Sequence, residues 1–276
     1  MRAIVLAGGL GTRLLPYTTV LPKPLMPVGD RPVLDIVIRQ LRRDGFTRIT
    51  IATGHLAELI EAFFGDGSKH GVQIDYFREE EPLGTVGSLS LIDGLDGGDF
   101  LVMNGDVLTD MSYAALMREH VDAGDATVTI AAHARTIQIS LGVILLDEDD
   151  PSRLTDYVEK PTTDFDASMG VYCFSPRVLG FLDPGVRLGF PELILRLIER
   201  GEVVRAHHQQ YFWLDVGRPR TTRRPRTSSV SRRCIRLDRA KSALALRRRG
   251  DDPGRASQTD SNAMTSRSAR SRGRSG

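Results

Sequence analysis

The run Ile4-Val5-Leu6, breaking into Ala7-Gly8-Gly9-Leu10-Gly11-Thr12-Arg13, constrains this 276-residue chain more than any other stretch. Three successive branched apolar residues suit a strand buried on both faces, as in a parallel sheet. The glycines at 8, 9 and 11 end that strand. Lacking a Cβ, backbone there can turn sharply and bring N–H groups close to a ligand. Arg13 adds a rigid positive fork suited to phosphate oxygens, and Lys23 supplies a second cation further along. A strand, a glycine loop and two spaced cations describe a polyphosphate cradle. It is neither the dinucleotide fingerprint, whose third glycine would fall at Leu14, nor a P-loop, which needs Gly-Lys before Ser or Thr.

The pattern that follows alternates. Helical spacing of Val33, Ile36, Val37 and Leu41 predicts a helix over 32–44, with Gly45 as its stop. Strands are expected at 48–53, 72–77, 100–103 and 126–132, and helices at 55–64, 84–95 and 113–123, with Thr85 near the start of the second of these. Strands alternating with helices predict an α/β fold, a Rossmann-like mixed, mostly parallel sheet with helices on both faces. From Leu141 the rhythm changes to strands at 142–146, 154–159, 167–174 and 203–206, with one helix at 190–200. This predicts a first half, 1–135, and a second half, 136–217, laid over the carboxyl ends of the strands, where open α/β sheets bind ligands.

Charge divides the chain more sharply than its net value of +2 suggests. Residues 1–217 carry 19 Lys and Arg against 31 Asp and Glu, whereas 218–276 carry 18 against 4 and contain no aromatic residue. The Arg- and Ser-rich composition of 218–276 predicts disorder, with only Cys234–Leu246 suited to a short helix. One reading of this tail is a basic arm for nucleic acid or anionic lipid, although it lacks the aromatic interleaving of a single-strand binder. The other is an out-of-frame end, since Arg-rich, aromatic-free sequence begins abruptly after Gly217; nucleic acid is then not an expected partner. No apolar run approaches a membrane span of ~18 residues, and Met1-Arg2-Ala3 leads straight into a strand without a signal peptide. Cys173 and Cys234 fit neither a disulfide framework nor a zinc site; Cys173 reads as a buried thiol, and a cytoplasmic setting is expected. The six histidines show no metal spacing, and His207-His208 reads as a polar strand end.

Gly8-Gly9-Leu10-Gly11-Thr12-Arg13 followed by Pro22-Lys23-Pro24 resembles the signature of the sugar-1-phosphate nucleotidyltransferases, or nucleotide-sugar pyrophosphorylases, and the resemblance runs from Met1 to about Pro219. It is nearest to the mannose-1-phosphate guanylyl and glucose-1-phosphate thymidylyl enzymes. The resemblance implies a Mg²⁺-dependent transfer of a nucleotidyl group from a nucleoside triphosphate to a sugar 1-phosphate, feeding cell-envelope polysaccharide synthesis. Leu6, Ala7, Gly8, Gly9, Gly11, Thr12, Glu79, Gly84 and Asp106 would bind the nucleotide. Arg13, Lys23 and Lys160 would be catalytic. Gly142, Glu159, Lys160 and Gly170 would hold the sugar phosphate, and Asp106 with Asp215 the metal, making 1–135 the nucleotide-binding half and 136–217 the sugar-phosphate-binding half of one nucleotidyltransferase domain, 1–217.

Each of these residues also has a plainer reading. Asp106, in Asn104-Gly105-Asp106, could begin a turn and Asp215 could cap a strand. Glu159-Lys160-Pro161 could be an exposed charge pair, and Glu79-Glu80-Glu81 a solvated loop. Thymidylyl-transferring relatives tend to carry glutamine where this chain has Glu79. A carboxylate can accept both N1–H and N2–H of guanine, whereas thymine offers one donor, so GTP with mannose 1-phosphate is expected and glucose 1-phosphate with dTTP or UTP is the alternative. A catalytically silent regulatory homologue, altered at its C-terminus, is a further alternative, and a homo-oligomer is compatible with all of them.

Overall fold

A computed structural model describes residues 1–216 of the chain. The expected tail at 218–276, with its short helix, lies outside the described residues. Strand β1 (Arg2–Leu6) leads into the glycine loop, and two short strands, β2 (Pro27–Val28) and β3 (Arg31–Pro32), pair before helix α1 (Val33–Arg43). There follow β4 (Arg48–Thr53), α2 (Ala57–Phe64), β5 (Gln73–Arg78), β6 (Phe100–Asn104), β7 (Val107–Thr109) and α3 (Tyr113–Ala123). The second half contributes β8 (Val128–Gln138), β9 (Gly142–Leu146), β10 (Leu154–Glu159), β11 (Thr162–Phe174), α4 (Phe190–Glu199), β12 (Val204–His208) and β13 (Trp213–Asp215).

Seven strands form one sheet in the order β12-β8-β11-β6-β1-β4-β5, and β1 lies within it, parallel to β4 and β6. Only β11 runs antiparallel to its neighbours, so the sheet is mixed and mostly parallel, as expected. Strands from both halves enter this one sheet. Alternate residues of β1 serve opposite faces: Ala3 and Val5 pack with Val37, Leu41, Ile60 and Leu116, whereas Ile4 packs with Leu89, Phe190 and Leu193. All three of Ile4, Val5 and Ala3 are fully buried, which is why this strand reads as a continuous apolar run.

Local signals account for most boundaries. Val33, Ile36, Val37 and Leu41 form the buried stripe of α1, and the amide of Gly45, in the left-handed region, bonds back to Arg42. Ser112 caps α3 by accepting from the Ala115 amide, and Gly124 ends it in the left-handed region.

Three expectations need correction. No α-helix spans 84–95; a 3-10 turn at Gly87–Leu91 stands there. Its approach is committed elsewhere, because the Leu188 amide bonds to the Leu83 carbonyl and the Val86 amide to the Leu188 carbonyl. Gly84 has φ +79° and a Cβ there would lie 2.5 Å from the Leu188 carbonyl oxygen, so this backbone cannot wind into a helix. Thr85 does cap a helix, but a different one: its hydroxyl accepts from the Phe190 amide at 2.6 Å, at the start of α4.

The strands β8 and β11 also run further than expected, pairing with each other from Thr162↔Gln138 to Ser168↔Ala132. Polar, exposed residues such as Thr162, Asp164 and Asp166 carry no apolar alternation that would announce this extension. Finally, β12 does end at His207-His208 as expected, with His208 exposed, but His207 is not solvated. It is buried in β12, with Nδ1 2.6 Å from Glu119 and Nε2 3.0 Å from the Tyr211 hydroxyl. Cys173 is fully buried, and burial raises its thiol pKa well above the ordinary value.

Candidate active site

The parallel register sets the carboxyl ends of three strands level, with Leu6 beside Ala52 on one side and Asn104 on the other. A cleft of about 490 Å³ opens over these ends. Its lining includes Leu6, Ala7, Gly8, Gly9, Gly11, Thr12, Arg13, Lys23, Glu79, Gly84, Asp106 and Asp215, so the residues expected at the nucleotide and metal positions come together.

The glycine loop is shaped by close packing beneath it. A Cβ on Gly11, at φ +62°, would stand 2.8 Å from Thr18 Cγ2 and 3.3 Å from Lys23 Cβ. The Thr18 hydroxyl donates to the Gly11 carbonyl at 3.0 Å, tying the loop to the segment that carries Lys23. Among the described residues, the amides of Gly8, Gly9, Leu10 and Gly11 donate no hydrogen bond to the protein. Successive free amides beside cations form a ready cradle for an anion. Arg13 stands exposed at the rim, whereas Lys23 is half-buried at the floor.

Two loops bring the carboxylates together. Asp106 follows the Gly105 turn, whose amide bonds to the Leu6 carbonyl at 2.9 Å. Asp215 arrives on β13, which pairs antiparallel with β7, and the Val216 amide bonds to the Asp106 carbonyl at 2.9 Å. Trp213 anchors that strand by donating its indole N–H to the Met169 carbonyl at 2.9 Å. The Lys23 ammonium bonds Asp106 Oδ2 and lies 3.6 Å from Asp215 Oδ1. Two carboxylates separated by about 110 positions thus face one cation.

At the other end of the cleft the Glu79 carboxylate borders Gly8, where a Cβ would lie 3.5 Å from its Oε2. Burial raises the Glu79 carboxyl pKa, while the neighbouring Leu83 backbone and Ser88 side chain pull it back down. Glu80 and Glu81 are exposed. Only the first of the three acids therefore belongs to the site.

The expected sugar-phosphate residues stand apart from this lining. Gly142 and Glu159 pair across the β9–β10 hairpin, and Lys160 follows it with φ +47°, its amide bonding to the Leu141 carbonyl. The Lys160 ammonium and the Glu159 carboxylate pair at 3.4 Å, both largely exposed. A Cβ on Gly142 would overlap the Tyr157 hydroxyl, which itself donates to Glu159 at 3.3 Å. Gly170, at φ +74°, lies nearer the cleft: a Cβ there would meet the Asn104 side-chain amide at 2.6 Å.

Several lining residues were not singled out in advance: Leu14, Pro24, Ala52, Pro82, Thr85, Asn104 and Gly105. Asn104 and Gly105 precede Asp106 directly, so the strand-end signal that found Asp106 covers them too. Ala52 is visible only through the register that sets it beside Leu6.

Comparison with known proteins agrees with this geometry. A uridylyltransferase from Synechocystis, named for UTP and glucose 1-phosphate, is 30% identical over 79% of this chain and 60% of its own length. A mannose-1-phosphate guanyltransferase from Aspergillus oryzae is 32% identical over 80% of this chain and 62% of its own. The chain therefore spans about three fifths of these curated relatives. A Bacillus anthracis crystal structure, named as a candidate glucose-1-phosphate thymidylyltransferase and solved with sucrose, shares the fold with TM-score 0.62 and 24% identity, covering 87% of this chain and 95% of its own. A family model described as nucleotidyl transferase matches residues 2–223, most of the chain. By that match, over the very residues that build the sheet and its cleft, the chain belongs to the nucleotidyl transferase family.

Proposed function

We propose that this chain transfers a nucleotidyl group from GTP to mannose 1-phosphate, releasing pyrophosphate and forming the nucleotide sugar. One observation carries the reading: free loop amides, two cations and two distant carboxylates converge in a single cleft. The reaction joins two anions, a sugar phosphate oxygen attacking the α-phosphorus, so alignment and charge neutralisation outweigh acid–base work. Arg13 at the rim holds the outer phosphates and stabilises the departing pyrophosphate. Lys23 turns to the α-phosphate. Lys160 positions the attacking phosphate, and Glu159 accepts hydrogen bonds from sugar hydroxyls; Gly142 and Gly170 let the sugar approach the backbone once the Tyr157 hydroxyl and the Asn104 amide, which fill their Cβ positions, move aside.

The carboxylates suit Mg²⁺, because two hard oxygen donors, one from each of Asp106 and Asp215, already face a single cation position and leave the remaining ligands to phosphate and water. When bound, that ion neutralises phosphate charge and fixes the triphosphate's orientation. The guanine preference rests on Glu79, a carboxylate inside the cleft able to accept two N–H groups of the base. The Aspergillus relative's name supports it, and the Synechocystis relative's name keeps glucose 1-phosphate with UTP or dTTP as the second reading. The setting proposed is the cytoplasm, with the product consumed in cell-envelope polysaccharide synthesis; no helix of the described residues is long and apolar enough to cross a membrane.

Pyrophosphate release by the full chain, assayed with GTP, dTTP and UTP against mannose and glucose 1-phosphates, tests the reading. GTP with mannose 1-phosphate is expected to turn over fastest. Faster turnover with dTTP or UTP would overturn the base assignment, and silence with every pair would overturn the activity.

A further inference from the structure

The Lys23 ammonium occupies the point on which the two carboxylates converge. It bonds Asp106 and stands 3.6 Å from Asp215, all three side chains being at most a quarter exposed. Its backbone has little freedom. Lys23 opens a 3-10 turn between Pro22 and Pro24, with the Leu25 amide bonded to the Pro22 carbonyl at 2.8 Å and the Met26 amide to the Lys23 carbonyl at 3.0 Å. The four-carbon stem, by contrast, can swing its charge by rotation.

We infer that Lys23 is a placeholder cation, which holds the metal position closed in the free chain and surrenders it only when a nucleotide's phosphates give its ammonium a new anionic partner. The inference rests on the metal reading proposed above. Mg²⁺ oxygen ligands lie about 2.0–2.1 Å from the ion, so a metal shared by Asp106 and Asp215 would fall where the ammonium now sits. Both cations cannot be held there together without added negative charge. A metal arriving alone must evict an ammonium from two carboxylates and leave it unpaired. A metal arriving with a triphosphate meets an ammonium already drawn off to the phosphates. Nucleotide and metal therefore bind with positive coupling, and by linkage each tightens the other equally. The exchange also guards against an empty-handed metal loading that would leave the cleft without its substrate.

Mn²⁺ binding to the full-length chain, read by electron paramagnetic resonance with and without a non-hydrolysable GTP analogue, tests this directly. Three forms are compared: the parent, Lys23→Met and Lys23→Arg, each checked for an unchanged unfolding midpoint. Without nucleotide, Lys23→Met is expected to bind Mn²⁺ about tenfold more tightly than the parent, roughly 1.4 kcal/mol. Lys23→Arg, which keeps the charge, should stay as weak as the parent. With the analogue present, the parent should gain affinity and Lys23→Met should gain much less. If the parent binds Mn²⁺ with nucleotide, yet Lys23→Met binds no tighter than the parent without it, the placeholder role is overturned while the metal reading stands. If no form binds Mn²⁺ under either condition, both fall.

Discussion

The floor of the cleft and the β9–β10 hairpin are built by opposite means. Around β1 the chain is closely packed: Ala3, Ile4 and Val5 are fully buried, and Gly8, Gly11, Gly84 and Gly105 each lie against backbone or packed side chains. The hairpin is exposed along nearly all its length, with Ile144, Leu145, Leu146, Leu154 and Tyr157 open to solvent. Interiors packed to crystal-like density transmit strain and tolerate few substitutions, whereas an exposed two-stranded ribbon contributes little to stability by itself. The contrast teaches that the proposed nucleotide face is pre-formed by the fold. The proposed sugar face is a set of chemical groups on a surface ribbon, free to vary without cost to the core.

The largest test of that contrast is Asp106→Ala. Loss of one charge-aligned contact of this kind costs about 10²–10³ in rate, so pyrophosphate release should fall by that much while the unfolding midpoint stays near the parent's. Near-normal turnover would remove Asp106 from the chemistry. Lys160→Ala, on the ribbon, is expected to lower kcat/KM for the sugar phosphate by about 10²-fold, with the nucleotide KM unchanged. Equal losses against both substrates would show that the hairpin does not serve the sugar alone.

The same substitution made in each region sharpens the comparison. Gly84→Ala forces a side chain against the Leu188 carbonyl at positive φ and should destabilise by about 1–3 kcal/mol in urea unfolding. Gly142→Ala meets only the hydroxyl end of exposed Tyr157, which can swing away, and should stay within about 0.5 kcal/mol of the parent. Equal costs would break the contrast.

The smallest expected effect concerns Glu79. Burial raises its folded-state pKa, so between the unfolded and folded values the native chain holds the extra proton and stability falls as pH rises. Glu79→Gln removes that dependence. The variant should match the parent below the ordinary carboxylate range and be slightly more stable above it, in thermal melts across pH. The proposed GTP preference over UTP should narrow in the same series, because one of the two carboxylate oxygens that would accept from guanine becomes an NH2 donor.

Much of this was readable in the residues because it is local. The α1 stripe with its Gly45 stop, the strand end before Asp106 and the loop glycines announce themselves through periodicity and turn chemistry. The expected helix at 84–95 failed because Leu83–Val86 spends its hydrogen bonds on Leu188, about 100 positions away. The β8–β11 extension was invisible because solvent-exposed pairing leaves no hydrophobic rhythm. The strand end at His207-His208 was placed as expected, but the burial of His207 was missed for a related reason: it depends on Glu119 and Tyr211 reaching it from outside the strand.

By itself, then, the sequence determined most of the alternation of strands and helices, the glycine loop and the kind of charge at each candidate site position, since spacing and residue chemistry act over a few neighbours. Only the tertiary structure decided that Asp106 and Asp215 face one ammonium, that Ala52 joins Leu6 in the cleft, and that Glu159 and Lys160 stand on an exposed ribbon apart from its lining. Those relations depend on strand order and register, which bring together distant parts of the chain through packing and long-range hydrogen bonds that no short window of residues contains.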